Sequence, residues 1–184
     1  MRAVLDACVL FPTVLREILL GVAQKGLYQP VWSPRILEEW ARATRKLGPT
    51  AEVIARGEIA ALGLEFPGAS QSDDPAAADR FDLPDVADAH VLALAVDQRA
   101  DLIVTANLKD FPTRALAALG VRAVDPDRFL CALWQDHPNV VAGAVAQVHA
   151  KAEAISGETL ELRALLRRAG LPRLGKRLYG SITR

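Results

Sequence analysis

Between residue 2 and about residue 133 the chain alternates short apolar runs with longer segments of helical periodicity. The runs over 2–5, 29–32, 102–105 and 121–124 are too short for helices and read as buried strands. Helices are expected between and after them, over 13–25, 34–46, 50–62, 88–99, 113–119 and 125–133. A strand followed by a helix and then another strand has to cross over, and repeated crossovers build a parallel sheet covered by helices on both faces. The expected fold class is therefore α/β, a three-layer sandwich around a central parallel sheet.

Local signals support the division. Ser33-Pro34 pairs a capping residue with a residue pre-organised for a first helical turn, and Thr13 is a candidate cap for the helix that Gly26 ends. The segment 88–99 is apolar on most sides, as a helix held between layers must be. The stretch 66–85, rich in Gly, Ser, Pro and Asp, is expected to be mostly loop. Beyond Pro138 only helical segments remain, broken at Gly157 and at Gly170-Leu171-Pro172. Residues 1–133 are thus expected to form the α/β domain, and 134–184 a helical extension packed on it.

Charge is balanced at 22 basic and 22 acidic residues, so global charge gives no support for nucleic-acid binding. Local charge is separated. Asp73, Asp74, Asp79, Arg80, Asp82, Asp85 and Asp88 make an acidic centre; Arg163, Arg167, Arg168, Arg173, Lys176, Arg177 and Arg184 make a basic tail. Cys8 and Cys131 are far apart in apolar runs and are expected to be buried thiols. That fits a reducing cytoplasm, and with no signal-peptide pattern and no apolar run long enough for a bilayer, a cytoplasmic protein is expected.

In open α/β sheets ligands bind outside the carboxyl ends of the strands. Asp6 ends the first run, Glu38 and Glu39 lie in the helix after the second, and Asp85 and Asp88 begin the buried helix. Asn107 and Asp110 follow the third run, which ends at Thr105. Acids from distant parts of the chain thus converge on one sheet edge. Clustered carboxylates raise one another's pKa, and a hard divalent cation, Mg²⁺ or Mn²⁺, is the usual reason to keep them together. Such a cation equips a site for phosphodiester hydrolysis without a His or Cys nucleophile. Each acid also has a structural reading: Asp88 or Asp85 as a helix cap, Asn107 and Asp110 as turn residues, and one of Glu38 and Glu39 as a solvent-facing partner, since adjacent helical residues point about 100° apart. His90 is expected to point away from Asp88 and to be held structurally.

These residues resemble the PIN-domain family, in a bacterial branch related to VapC-type toxins. The resemblance rests on Val4-Leu5-Asp6, on Ser33-Pro34-Arg35-Ile36-Leu37-Glu38-Glu39-Trp40, on Leu83-Pro84-Asp85-Val86-Ala87-Asp88-Ala89-His90-Val91-Leu92-Ala93, and on Ile103-Val104-Thr105-Ala106-Asn107-Leu108-Lys109-Asp110-Phe111-Pro112. It covers residues 2 to about 130 and implies a parallel sheet, a Mg²⁺ or Mn²⁺ site and ribonuclease activity on single strands. By the resemblance Asp6, Glu39 and Asp88 are the first three site acids. At the fourth position the family often has Asp and this chain has Asn107, with Asp110 three residues on.

The expectation is a metal-dependent endoribonuclease, the toxin of a toxin–antitoxin pair. Asp6, Glu39, Asp88, Asn107 and Asp110 form its catalytic set; Asp6, Asp88, Glu39 and Asn107 are its metal ligands. Asp85, Thr105 and His90 are supporting candidates, and Arg163, Arg167, Arg173 and Arg177 are candidates for RNA phosphates. The implied partners are RNA, an antitoxin protein and a second copy in a homodimer, with no membrane. Two rivals stand. A haloacid-dehalogenase-like phosphatase needs an acid two residues after the first, where this chain has Cys8. A PIN-fold module that binds RNA or protein without cutting is favoured by the uncharged Asn107.

Overall fold

The computed structural model describes residues 1–76, 80–81 and 83–182, with the backbone alone for 180–182. Asp79, Asp82 and Arg184 of the expected charge clusters lie outside the described residues. Two compact units are present: Met1–Phe11 with Tyr28–Val124, and Pro12–Leu27 with Asp125–Arg184.

The first unit is built on four strands, β1 (Arg2–Leu5), β2 (Gln29–Val31), β3 (Leu102–Val104) and β4 (Arg122–Val124). Their order is β2-β1-β3-β4 and every pair is parallel. Val4, Ile103 and Val104 have no exposure, as expected for strands covered on both faces. Helix α1 (Ala7–Leu10) follows β1; α2 (Thr13–Gln24) belongs to the other unit; α3 (Pro34–Ala43) and α4 (Ala51–Glu65) follow β2 and pack on each other. Then come α5 (Ala89–Asp97), which touches β1 and β3, and α6 (Thr113–Ala117), which touches β4. All residues of α5 from Ala89 to Ala95 are buried, the apolar helix between layers that the sequence calls for.

Several boundaries differ from expectation. The single turn α1 falls between β1 and the helix expected from residue 13, where the sequence marks no element; Asp6 accepts at its main-chain oxygen from Val9 and Leu10. The helix expected over 34–46 stops at Ala43 and tightens into a 3-10 turn, Thr44–Leu47, where the Thr44 hydroxyl donates to the Ala41 carbonyl at 2.6 Å. The helix expected over 88–99 begins with a 3-10 turn, Val86–Asp88, and Arg99 stands at φ 50° just beyond its end. Trp32 lies outside β2 and makes a single parallel bridge to Ser70.

The second unit is helical: α2 (Thr13–Gln24), α7 (Pro126–Asp136), α8 (Pro138–Ser156), α9 (Leu162–Arg168) and α10 (Pro172–Ile182). The boundary expected at residue 133 falls inside α7. Pro12, not Thr13, occupies the cap position of α2. Helices α2 and α8 approach closely at Gly21, where an added Cβ would lie 3.4 Å from that of Ala144. Asp125 caps α7 by accepting from the Arg128 amide at 2.9 Å. Gly157, at φ 71°, ends α8 in the left-handed region. Asp127 is buried, and its two oxygens accept from the Arg173 and Leu174 amides at 2.8 and 2.9 Å, which fixes the start of α10 on α7. Among the described residues no helix is long and apolar enough to cross a membrane.

Candidate active site

Two adjacent parallel strands, β1 and β3, deliver Asp6 and Thr105 to the same edge of the sheet. The Asp6 amide extends the ladder by donating to the Val104 carbonyl at 3.2 Å. Its carboxylate is buried, and Oδ2 accepts from the Thr105 hydroxyl at 2.7 Å and from Cys8 Sγ at 3.0 Å. Thr105 Oγ1 in turn accepts from the Asn107 amide at 3.0 Å. The Asn107 side-chain amide donates to Asp110 Oδ2, and Asp110 is buried. Asp6, Thr105, Asn107 and Asp110 are thereby joined in one chain of hydrogen bonds. Thr105 stands between Asp6 and the Asn107 turn, and at the fourth family position the Asn107 amide is spent on its neighbour.

Asp88 stands at the cap position of α5, but its side chain caps nothing and has no hydrogen-bond partner among the described residues. Asp85 does the capping: its Oδ1 accepts from the Ala87 amide at 2.9 Å. Partial burial pushes the Asp88 carboxyl up to about 6, helped by the negative charges of Asp6, Asp85 and Asp110. The structure thus places Asp88 in the field of Asp6 and Asp110. A carboxylate with no donor and three acidic neighbours is held at a cost that a cation would relieve.

Glu38 and Glu39 part company as adjacent helical residues must. Glu38 faces Arg42 and Arg56, at 2.6 and 2.8 Å, and these guanidiniums hold its carboxyl down to about 2. Glu39 faces Arg35 Nε at 3.2 Å and His90 Nε2 at 3.3 Å. Burial pushes the Glu39 carboxyl up, but His90 and Arg35 together hold it below the ordinary value. His90 is buried, and its Nδ1 donates to the Ala87 carbonyl at 2.7 Å, so Nε2 pairs with Glu39 only when the ring carries a hydrogen on both nitrogens. Arg35 Nη2 reaches the same carbonyl at 3.3 Å.

Sequence reasoning missed two participants. Arg35 links α3 to the turn before α5, and its four-residue spacing to Glu39 was the available signal. Cys8 is not the deeply buried thiol expected: it is partly exposed and donates to Asp6, while its Sγ accepts from the Ala106 amide at 3.2 Å. Both cysteines are free, as expected. Part of the acidic centre serves the loop instead of the site. Asp73 accepts from the Arg35 amide at 3.0 Å, and Arg80 pairs with Asp74 and Asp97.

The donors at this edge are carboxylate and amide oxygens, the ligands a hard divalent cation prefers. They fit in kind. They do not make a ready cage, for among the described residues no three His, Cys, Asp or Glu side chains are grouped closely enough to hold a metal ion. Mg²⁺ commonly binds through one or two carboxylates and keeps several waters, so a partial set is no obstacle.

No solved structure matches the chain. A Mycobacterium tuberculosis (strain ATCC 25618 / H37Rv) protein named "Putative ribonuclease VapC50" is 56% identical over 43 residues, 23% of this chain and 25% of that protein. The chain therefore spans about 25% of the length of the curated relative it matches. The family model described as PIN domain matches residues 2–109, which contain β1, β2, α5 and β3 together with Asp6, Glu39, Asp88 and Asn107. With more than half of its length so matched, and with the parallel sheet and acidic edge in place, the chain belongs to the PIN domain family.

Proposed function

We propose that the protein is a metal-dependent endoribonuclease with its active site at the carboxyl ends of β1 and β3. The observation that carries the reading is Asp88: an acid at the sheet edge with no donor of its own, raised by burial and by Asp6, Asp85 and Asp110. Asp6 and Asp88 would hold Mg²⁺ or Mn²⁺, with Glu39 and the Asn107 side chain as further oxygen donors. When bound, such a cation polarises a phosphoryl oxygen and acidifies a water. Thr105 and Cys8 donate to Asp6 Oδ2 and keep that carboxylate aimed at the edge. His90 and Arg35 keep Glu39 ionised and able to accept a proton. Asp110 holds the Asn107 amide by its nitrogen, leaving the amide oxygen as the free donor atom.

The biological role we infer is that of a toxin nuclease restrained by an antitoxin, acting in the cytoplasm as a homodimer. This extends the ribonuclease name of the matched relative and the VapC-like motifs. A second reading, an RNA- or protein-binding PIN module without cleavage, is favoured by the uncharged Asn107.

Incubation of the purified chain with labelled single-stranded RNA distinguishes the two. Cleavage should appear with Mg²⁺ or Mn²⁺, stop in excess chelator, and be lost in Asp6→Asn and Asp88→Asn variants that remain folded. Binding without cleavage under every divalent cation would establish the second reading.

A further inference from the structure

The helical unit has a cavity of about 340 Å³ lined by Arg128, Cys131, Ala132, Gln135, Arg173, Lys176 and Arg177. Its two walls are helix faces. Arg128, Cys131, Ala132 and Gln135 recur at the three- and four-residue spacing of one side of α7; Arg173, Lys176 and Arg177 do the same on α10. Four cations therefore line one concavity. The acids beside them are Asp125, 3.2 Å from Arg128 and 3.8 Å from Arg173, and Asp127, which is buried and spends both oxygens on the first amides of α10. The lining keeps a positive excess over both carboxylates.

The cluster is built, not scattered. Asp127 locks the start of α10 against α7, so the two cationic faces are held in one register. The Arg177 guanidinium lies 5.6 Å from the centre of the Trp134 ring, a cation–π contact that orders a long side chain beside the cavity. Planar guanidiniums match the oxygens of a phosphodiester in pairs. Of the basic residues in the tail, Arg173, Lys176 and Arg177 line this cavity, whereas Arg163, Arg167 and Arg168 do not.

We propose that this cavity is a binding site for a backbone phosphate of single-stranded RNA, separate from the acidic edge of the sheet. The identity of the ligand rests on the ribonuclease reading. An acidic edge repels the phosphates that flank a scissile bond, and cations elsewhere on the chain are needed to hold them.

The test reads affinity for a fluorescent single-stranded RNA oligomer against salt, in chelator, so that no cleavage is required. In the full chain, R173A/K176A should lower the slope of log affinity against log salt by about 0.7, the loss of one phosphate contact on a single strand. K25A/R168A, which changes two exposed basic residues outside the cavity, should leave it within error. An unchanged slope in a folded R173A/K176A variant, or an equal drop in both variants, overturns the site. In the unmutated chain, RNA should protect Lys176 from acetylation as read by mass spectrometry; unprotected Lys176 overturns it as well. So does an acidic peptide that binds the cavity while RNA does not. Cleavage in Mg²⁺ or Mn²⁺ is scored separately: a chain that cuts RNA with an unchanged slope loses only the cavity, and one that binds through it but never cuts loses only the nuclease.

Discussion

His90 and Glu39 face each other across two segments of the PIN fold, with His90 Nε2 3.3 Å from Glu39 Oε2 and His90 Nδ1 anchored 2.7 Å from the Ala87 carbonyl. The contact selects one of two adjacent glutamates. Glu39 is turned toward the segment that carries Asp88, while Glu38 is engaged by Arg42 and Arg56. Glu39→Gln should therefore cut the rate of RNA cleavage by on the order of 10²-fold or more, the usual size of a lost acid–base contribution. Glu38→Gln should leave the rate within a few-fold. Single-turnover cleavage by both variants checks this, and equal losses would contradict it.

Asp88 predicts a pH dependence for the metal-free protein. Its carboxyl is raised to about 6, above the ~3.9 of an unfolded chain, so between those values the folded state binds more protons than the unfolded one. Stability from this group is thus greatest below about 4 and falls as pH rises through 6. In chelator at pH 7, Asp88→Asn should melt a few degrees higher than the unmutated chain, with the gap closing toward pH 4. Thermal melts across that range are the check; a variant that melts lower at pH 7 would show that the carboxylate has a partner that holds it.

Much of this was legible in the chain. Four apolar runs gave four strands, and the all-apolar stretch from Ala89 to Ala95 gave the buried helix. Asp6 was legible because an acid ending a buried strand has few other uses. His90 was only half legible: counting along a helix turns it away from Asp88, but cannot say that α3 waits there with Glu39. The 3-10 turn at Val86–Asp88 also shifts the phase on which such counting depends. Cys8 was misread because an apolar neighbourhood in sequence, Ala7 to Leu10, becomes one helical turn whose second residue faces back to Asp6.

Asn107→Asp should change metal response more than it changes the fold. The substitution removes the amide that donates to Asp110 and sets two carboxylates side by side. The metal-free variant should melt lower than the unmutated chain. Mn²⁺ should then raise its melting temperature by more than it raises that of the unmutated chain, since an added charge favours the cation. A smaller Mn²⁺ response would mean that the amide itself is required at the site.

The Cys8 thiol should be inert despite its partial exposure. Burial and the charge of Asp6 push it up to about 12, so almost no thiolate exists at pH 8. Alkylation by iodoacetamide at pH 8 in chelator should be at least tenfold slower than in the denatured chain. Asp6→Asn, which removes the nearby charge, should speed it. Rapid alkylation of the folded, unmutated chain would contradict the hydrogen-bonded geometry.

The bond from Thr105 to Asp6 spans 99 residues of sequence. A ribosome making this chain releases Asp6 early and Thr105 much later, and no local structure can substitute for the β1–β3 pairing that joins them. Until that pairing closes, the first acid lacks its hydroxyl donor. A chain cut short before residue 105 would therefore carry Asp6 without the edge it belongs to, and β4, which joins β3 through Arg122–Val124, is made later still.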